Sequence, residues 1–277
     1  MPDLLLHLPQ ALRDAAYNNT AAVADAASQL DGFERRSNAL AANAPGQLDI
    51  AFGAAERLRF DYFQGRTDLP TLLFIHGGYW QMRHKNTFRF VVEGALERGL
   101  NAALIGYTLA PQASLTRIVQ EVRQGVAAVR THARRLGGSG RILLCGWSAG
   151  GHLAAIGLDC DGVVAGLGIS GIYDLAPLQH TYLNQALQLT ALEVATLSPL
   201  HTPLVAKPFL IAYGTAELPQ LQAQSLAFAD YRRGLPGGAH AVDRANHFSI
   251  LNALASPAGP LLERFMAILE AIVPDGA

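Results

Sequence analysis

A chain of 277 residues, half of them hydrophobic, is long enough to bury a large core as one α/β unit. Lys and Arg number 21 against 22 Asp and Glu, a formal net charge of -1, which excludes a global basic field for nucleic acid or an anionic membrane and favours a small-molecule partner. No run reaches the roughly 18 apolar residues of a membrane span. "MPDLLLHLPQALRD" lacks the basic leader and cleavage site of a signal peptide, and Cys145 and Cys160 have no metal-binding spacing. A soluble, cytoplasmic protein without metal or cofactor is expected.

From Pro9 to Ala44, apolar residues recur at spacings near three and four (Leu12, Ala15, Ala16, Val23, Ala26, Leu30), which predicts a helical arm or cap over residues 1–45. "NAPGQLD" breaks it, and "IAFGAAERLRFDYFQ" reads as an early hairpin with an irregular turn. From Leu69 the pattern changes. Short apolar runs, "TLLFIHGG", "NAALIGYTLA", "RILLCGWS", "GVVAGLGISG" and "KPFLIAYGT", alternate with helix-like stretches such as Thr87 to Arg98, Leu115 to Leu136 and Gly150 to Leu158. Continuous apolar strands separated by helices predict a mostly parallel sheet covered on both faces. "PLLERFMAILEAIV" supplies a closing helix. With no repeat and no second composition regime, residues 1–277 read as a single α/β domain.

Residues 146 to 150, "GWSAG", fit the G-x-S-x-G pattern, with a strand before and a helix after. That context is the nucleophile elbow, which holds a serine above a sheet in a strained turn. The five residues alone are equally compatible with an inert strand-to-helix turn. A serine hydroxyl is a weak nucleophile at neutral pH and needs a base, which needs an orienting acid. The chain order in this fold is Ser, acid, His. "TAELPQ" places Glu217 just past the strand "PFLIAYG", at the sheet edge where ligands collect; Asp230 and Asp243 are rivals that do not directly follow a strand. His247 follows a polar loop and opens an apolar helix, whereas the competing His240 lies in the last strand. Gly77 and Gly78 in "FIHGGYW", with the Ala149 amide after the serine, are the candidate oxyanion donors.

His76 and His152 read as scaffold histidines and Cys145 as a buried small hydrophobe. Tyr79, Trp80 and Tyr107 are candidates for an aromatic substrate pocket, with core packing as the alternative. Trp147 has no evident role.

These residues resemble the α/β-hydrolase-type arylformamidases, or kynurenine formamidases, within the esterase/lipase group. The likeness extends beyond the elbow to "HGGYW", "GYTLAP", "SGIYDLAPL", "YGTAELPQLQAQS" and the amino-terminal "AAYNNTAAVAD", and so covers most of the chain. It implies an α/β-hydrolase fold and hydrolysis of an N-formyl aryl amine, with N-formylkynurenine the best-known substrate. It places the nucleophile on Ser148, the acid on Glu217 (Asp in many relatives), the base on His247 and the oxyanion loop on Gly77 and Gly78. A carboxylesterase acting on other esters or amides would use the same triad. A non-catalytic binding protein on this fold is the third possibility.

Overall fold

The computed structural model describes residues 7–272. The expectation of no leader rests partly on residues outside that range, as does the last residue of the closing helix. The strands are β1 (Gly46–Ala51), β2 (Arg59–Phe63), β3 (Thr71–Ile75), β4 (Asn101–Ile105), β5 (Ile142–Trp147), β6 (Val163–Ile169), β7 (Phe209–Gly214) and β8 (Gly237–Val242). They form one sheet in the order β1-β2-β4-β3-β5-β6-β7-β8. β1 and β2 are the expected hairpin, with a register shift between Gln47 and Ile50, and β2 meets β4 antiparallel. Every other pairing is parallel.

The apolar runs are continuous because each central strand is covered on both sides. Successive side chains of a strand point to opposite faces. Leu73 and Ile75 of β3 join one buried cluster with Ile142 and Leu144 of β5. Leu72 and Phe74 join the other with Leu143, Cys145 and Trp147. The helix Leu115–Arg135, started by the Ser114 side chain accepting from Arg117 N, places Ile118, Val122, Val126 and Val129 on the first cluster. The helix Pro260–Ile272 closes the second with Leu261, Leu262 and Phe265. Burying one such side chain contributes about 1.5–3 kcal/mol.

The amino-terminal segment divides into two parts. The helix Ala26–Asn43 lies on the second cluster: Phe33 stacks on Phe90 at 4.4 Å, and Ser37 Oγ donates to Thr87 O and accepts from Phe90 N. The short helices Gln10–Ala15 and Asn19–Ala22 are attached elsewhere, through Gln10 Nε2 to His180 O and Asp14 Oδ1 to the Tyr182 amide. The stretch expected as one helix from Thr87 to Arg98 is a 3₁₀ segment, Lys85–Val92, followed by a single α turn, Glu93–Glu97. Lys85 and Arg89 both reach back to Asp61 of β2, which ties this segment to the sheet. No helix among the described residues is long and apolar enough to cross a membrane.

Candidate active site

β5 ends at Trp147 and the helix Ala149–Ile156 begins two residues later, which leaves Ser148 alone in the turn. Its φ of 56° and ψ of -120° are sparsely populated for a residue with a side chain. The bend is held from both sides: Ser148 N donates to Ile169 O at 2.8 Å, and Gly151 N donates to Ser148 O at 2.8 Å. The flanking glycines are required by approach. A Cβ on Gly146 would stand 2.0 Å from Gly150 O, and one on Gly150 would stand 2.0 Å from Ile75 O.

His247, in the loop after β8, places Nε2 3.1 Å from Ser148 Oγ. Glu217, three residues past the end of β7, lies across the ring with Oε2 3.8 Å from Nδ1. That is an ion-pair separation, longer than a hydrogen bond. The other carboxylate oxygen, Oε1, accepts from the Ser170 hydroxyl and from Gly214 N. Ser148, Glu217 and His247 are all buried. The rival acids are on the surface, Asp230 paired with Arg233 and Asp243 with Arg244. His240 sits inside β8, opposite Ala212 of β7.

Gly77 runs directly beside the serine, since a Cβ there would lie 2.9 Å from Ser148 Cβ. Among the described residues, no turn or loop hydrogen bond engages the amides of Gly77, Gly78 or Ala149. These three amides therefore remain unspent in the turns that carry them. His76 and His152 are scaffold residues as expected. Burial holds His76 neutral, its pKa pushed down to about 3, and it contacts Gly77 O through Nδ1 at 2.7 Å. His152 is pushed down to about 4 and donates from Nε2 to Leu197 O.

The three aromatic candidates separate. Tyr79 is at the site: its hydroxyl donates to Tyr17 O at 2.7 Å and accepts from Asn19 Nδ2 at 3.0 Å. Trp80 has no exposed surface and packs edge-on against His152 at 5.0 Å. Tyr107 has the contacts of the core-packing alternative. It stacks on His76 at 4.4 Å and donates to His76 O at 2.9 Å, so it supports the glycine loop from the core instead of lining a pocket.

Three residues at the site escape sequence reasoning. Trp147 donates from Nε1 to His247 O at 2.8 Å, and its ring centre lies 4.9 Å from the imidazole. The same indole is what a Cβ on Gly77 would strike, at 2.8 Å, so one side chain braces both the histidine and the glycine loop. Ser170, at the end of β6, has φ of 53° and holds the Glu217 carboxylate. Asn19 arrives from the amino-terminal arm, with Nδ2 3.3 Å from His247 Nε2. The sequence signals were the likeness of "AAYNNTAAVAD" for the arm and of "SGIYDLAPL", which begins at Ser170; neither assigned a role to Asn19 or Ser170, and Trp147 had no signal of its own.

Comparison with known proteins bears on the fold and the family. A family model described as BD-FAE matches residues 62–160. The kynurenine formamidase of Danio rerio is 30% identical over 227 residues, covering 75% of this chain and 76% of that protein; the Salmo salar kynurenine formamidase is 28% identical over the same span. The crystal structure of a proposed thioesterase from Silicibacter sp. superposes with a TM-score of 0.83 at 26% identity, covering 91% of this chain and 98% of that one. The Pyrobaculum calidifontis esterase shares the fold at 18% identity and a TM-score of 0.69, covering 96% of this chain and all of that one. The sheet is therefore that of the α/β-hydrolases and the protein is a hydrolase. By extent and identity the chain belongs to the kynurenine formamidase family.

Proposed function

We propose that this protein cleaves the formamide of an N-formyl aryl amine, N-formylkynurenine being the substrate suggested by its relatives, through a triad of Ser148, His247 and Glu217. The observation that carries the reading is the short Ser148 Oγ to His247 Nε2 contact on a strained elbow, with Glu217 on the far side of the ring.

Ser148 Oγ attacks the formyl carbon as its proton passes to His247 Nε2. The formyl carbon carries only hydrogen, so a closely walled serine can reach it with little steric demand. The amides of Gly77, Gly78 and Ala149 receive the oxyanion. The imidazolium, stabilised by Glu217, protonates the aryl amine nitrogen as the C–N bond breaks. A water deprotonated by the same imidazole then releases formate. Ser170 and Gly214 N hold Glu217 Oε1, which leaves Oε2 for the ring.

The alternative is a carboxylesterase using the same triad, a reading supported by the esterases that share the fold. Steady-state kinetics with N-formylkynurenine, formanilide and p-nitrophenyl acetate separates the two. The formamidase reading expects both formamides to turn over, and activity to be lost in Ser148→Ala. Ester turnover with negligible formamide turnover would replace it with the carboxylesterase.

A further inference from the structure

Asn19 turns inward from a surface arm and brings an amide to the triad. Its neighbour Asn18 does the local work, accepting from Ala21 N to cap the turn. Asn19 itself points inward and is 4% exposed. The orientation of its amide is fixed by hydrogen-bond logic. The single proton of the Tyr79 hydroxyl is committed to Tyr17 O, so that oxygen can only accept, and the group facing it must be the Asn19 NH₂. The same nitrogen lies 3.3 Å from His247 Nε2, the atom that also meets Ser148 Oγ. The carbonyl end, Oδ1, is buried and has no hydrogen-bond partner among the described residues. An orphaned acceptor of this kind costs stability unless a ligand completes it.

We infer that Asn19 Oδ1 is a specificity determinant that accepts the N–H of the scissile formamide, so that the site favours amides over esters. This rests on the triad proposed above. The leaving atom must lie next to His247 Nε2 to receive its proton, and therefore beside Asn19. In a secondary formamide that atom is a nitrogen. When Ser148 Oγ bonds to the formyl carbon, the nitrogen lone pair turns toward the Nε2 proton, and its own N–H is left in a dry site. Oδ1, on the same amide group as the nitrogen that meets Nε2, is the acceptor assigned to it. As C–N breaks, the nitrogen gains the proton that Ser148 gave up and leaves as a neutral amine, with its original hydrogen still held. An ester oxygen in the same place carries no hydrogen and gains nothing from Oδ1. A site built around a hydrogen bond discriminates strongly against the analogue that cannot form it.

The test is a matched pair, formanilide and phenyl formate, which differ only in NH against O at the scissile position. Wild type, Asn19→Leu and Asn19→Ala are compared, with limited proteolysis of residues 7–25 reporting whether the arm stays docked. In the docked variants, kcat/KM for formanilide is expected to fall about tenfold to a hundredfold and for phenyl formate less than about threefold. An equal fall on both substrates, with the arm docked, would reduce Asn19 to a support for His247 and overturn the inference. So would unchanged formanilide turnover. If both variants lose the arm, the selectivity ratio still decides: loss of the arm alone lowers both substrates together, and an unchanged ratio rejects the inference. Wild type that cleaves phenyl formate but not formanilide would reject the formamidase reading itself, a result distinct from all of these.

Discussion

Two buried polar clusters sit at different places on this sheet, and they are finished differently. Near the β1–β2 edge, both carboxylate oxygens of Asp61 are partnered: Oδ1 meets Lys85 Nζ at 2.5 Å and the Asp49 amide at 2.8 Å, and Oδ2 meets Arg89 Nε at 2.7 Å. Lys85 adds Asp49 and Asn86. At the carboxyl ends of the strands, the other cluster is left open. Glu217 Oε2, His247 Nδ1 and Asn19 Oδ1 are buried without hydrogen-bond partners, beside a serine in a strained backbone conformation. A partnered set holds structure in place, whereas at the open cluster Glu217 Oε2 and His247 Nδ1 are left for each other and Asn19 Oδ1 for the substrate contact inferred above.

The comparison can be broken from either side. The largest effect is expected from Gly77→Ala. The new Cβ would meet Trp147 Cε3 at 2.8 Å and Ser148 Cβ at 2.9 Å, so the oxyanion loop must move. A drop in kcat of about a hundredfold to a thousandfold is expected, read by steady-state kinetics. Asp61→Asn acts on the other cluster. It leaves Lys85 and Arg89 buried beside a neutral amide, and chemical denaturation should show a loss of about 3–5 kcal/mol. Turnover per folded molecule should hardly change, and a selective loss of kcat would contradict the division into two kinds of cluster. Ser170→Ala removes the hydroxyl that steadies Glu217 Oε1. A fall in kcat of about tenfold, with little change in KM, is expected.

A further effect concerns pH. His76 and His152 are held neutral by burial, with pKa values near 3 and 4, while in the unfolded chain they take up protons below about 6.5. The unfolded state therefore binds more protons, and stability falls as the pH drops from about 7 toward 4. Melting temperatures at pH 7, 6 and 5 should decline in that order. A flat profile would mean that the two rings carry charge in the native state.

Much of the site was readable before any coordinates because its parts obey local rules. β3 and β5 announce themselves as unbroken apolar runs, since both faces are buried. Ser148 is flanked by glycines that no other residue could replace, and Glu217 and His247 each follow a strand. What stayed hidden depends on approach between distant segments. Trp147 looked like one more apolar strand residue, yet its indole N–H meets His247 O across 100 positions. Asn19 and Ser170 lie in segments with a family likeness, but their roles come from partners more than 40 residues away. Tyr107 stayed open for the converse reason, because an aromatic after a strand can face core or cavity and composition does not say which. The 3₁₀ path of Lys85–Val92 was likewise set by ion pairs to Asp61, which outweigh the α-helical pattern.

The central claim is that the open cluster is a working nucleophile. Its most direct test is to treat the folded protein with a fluorophosphonate and map the adduct by peptide mass spectrometry. The account predicts one covalent modification, on Ser148, that abolishes formamide turnover and is absent from Ser148→Ala and strongly slowed in His247→Ala. A folded protein that takes up no label, or takes it up equally well without His247, would contradict it.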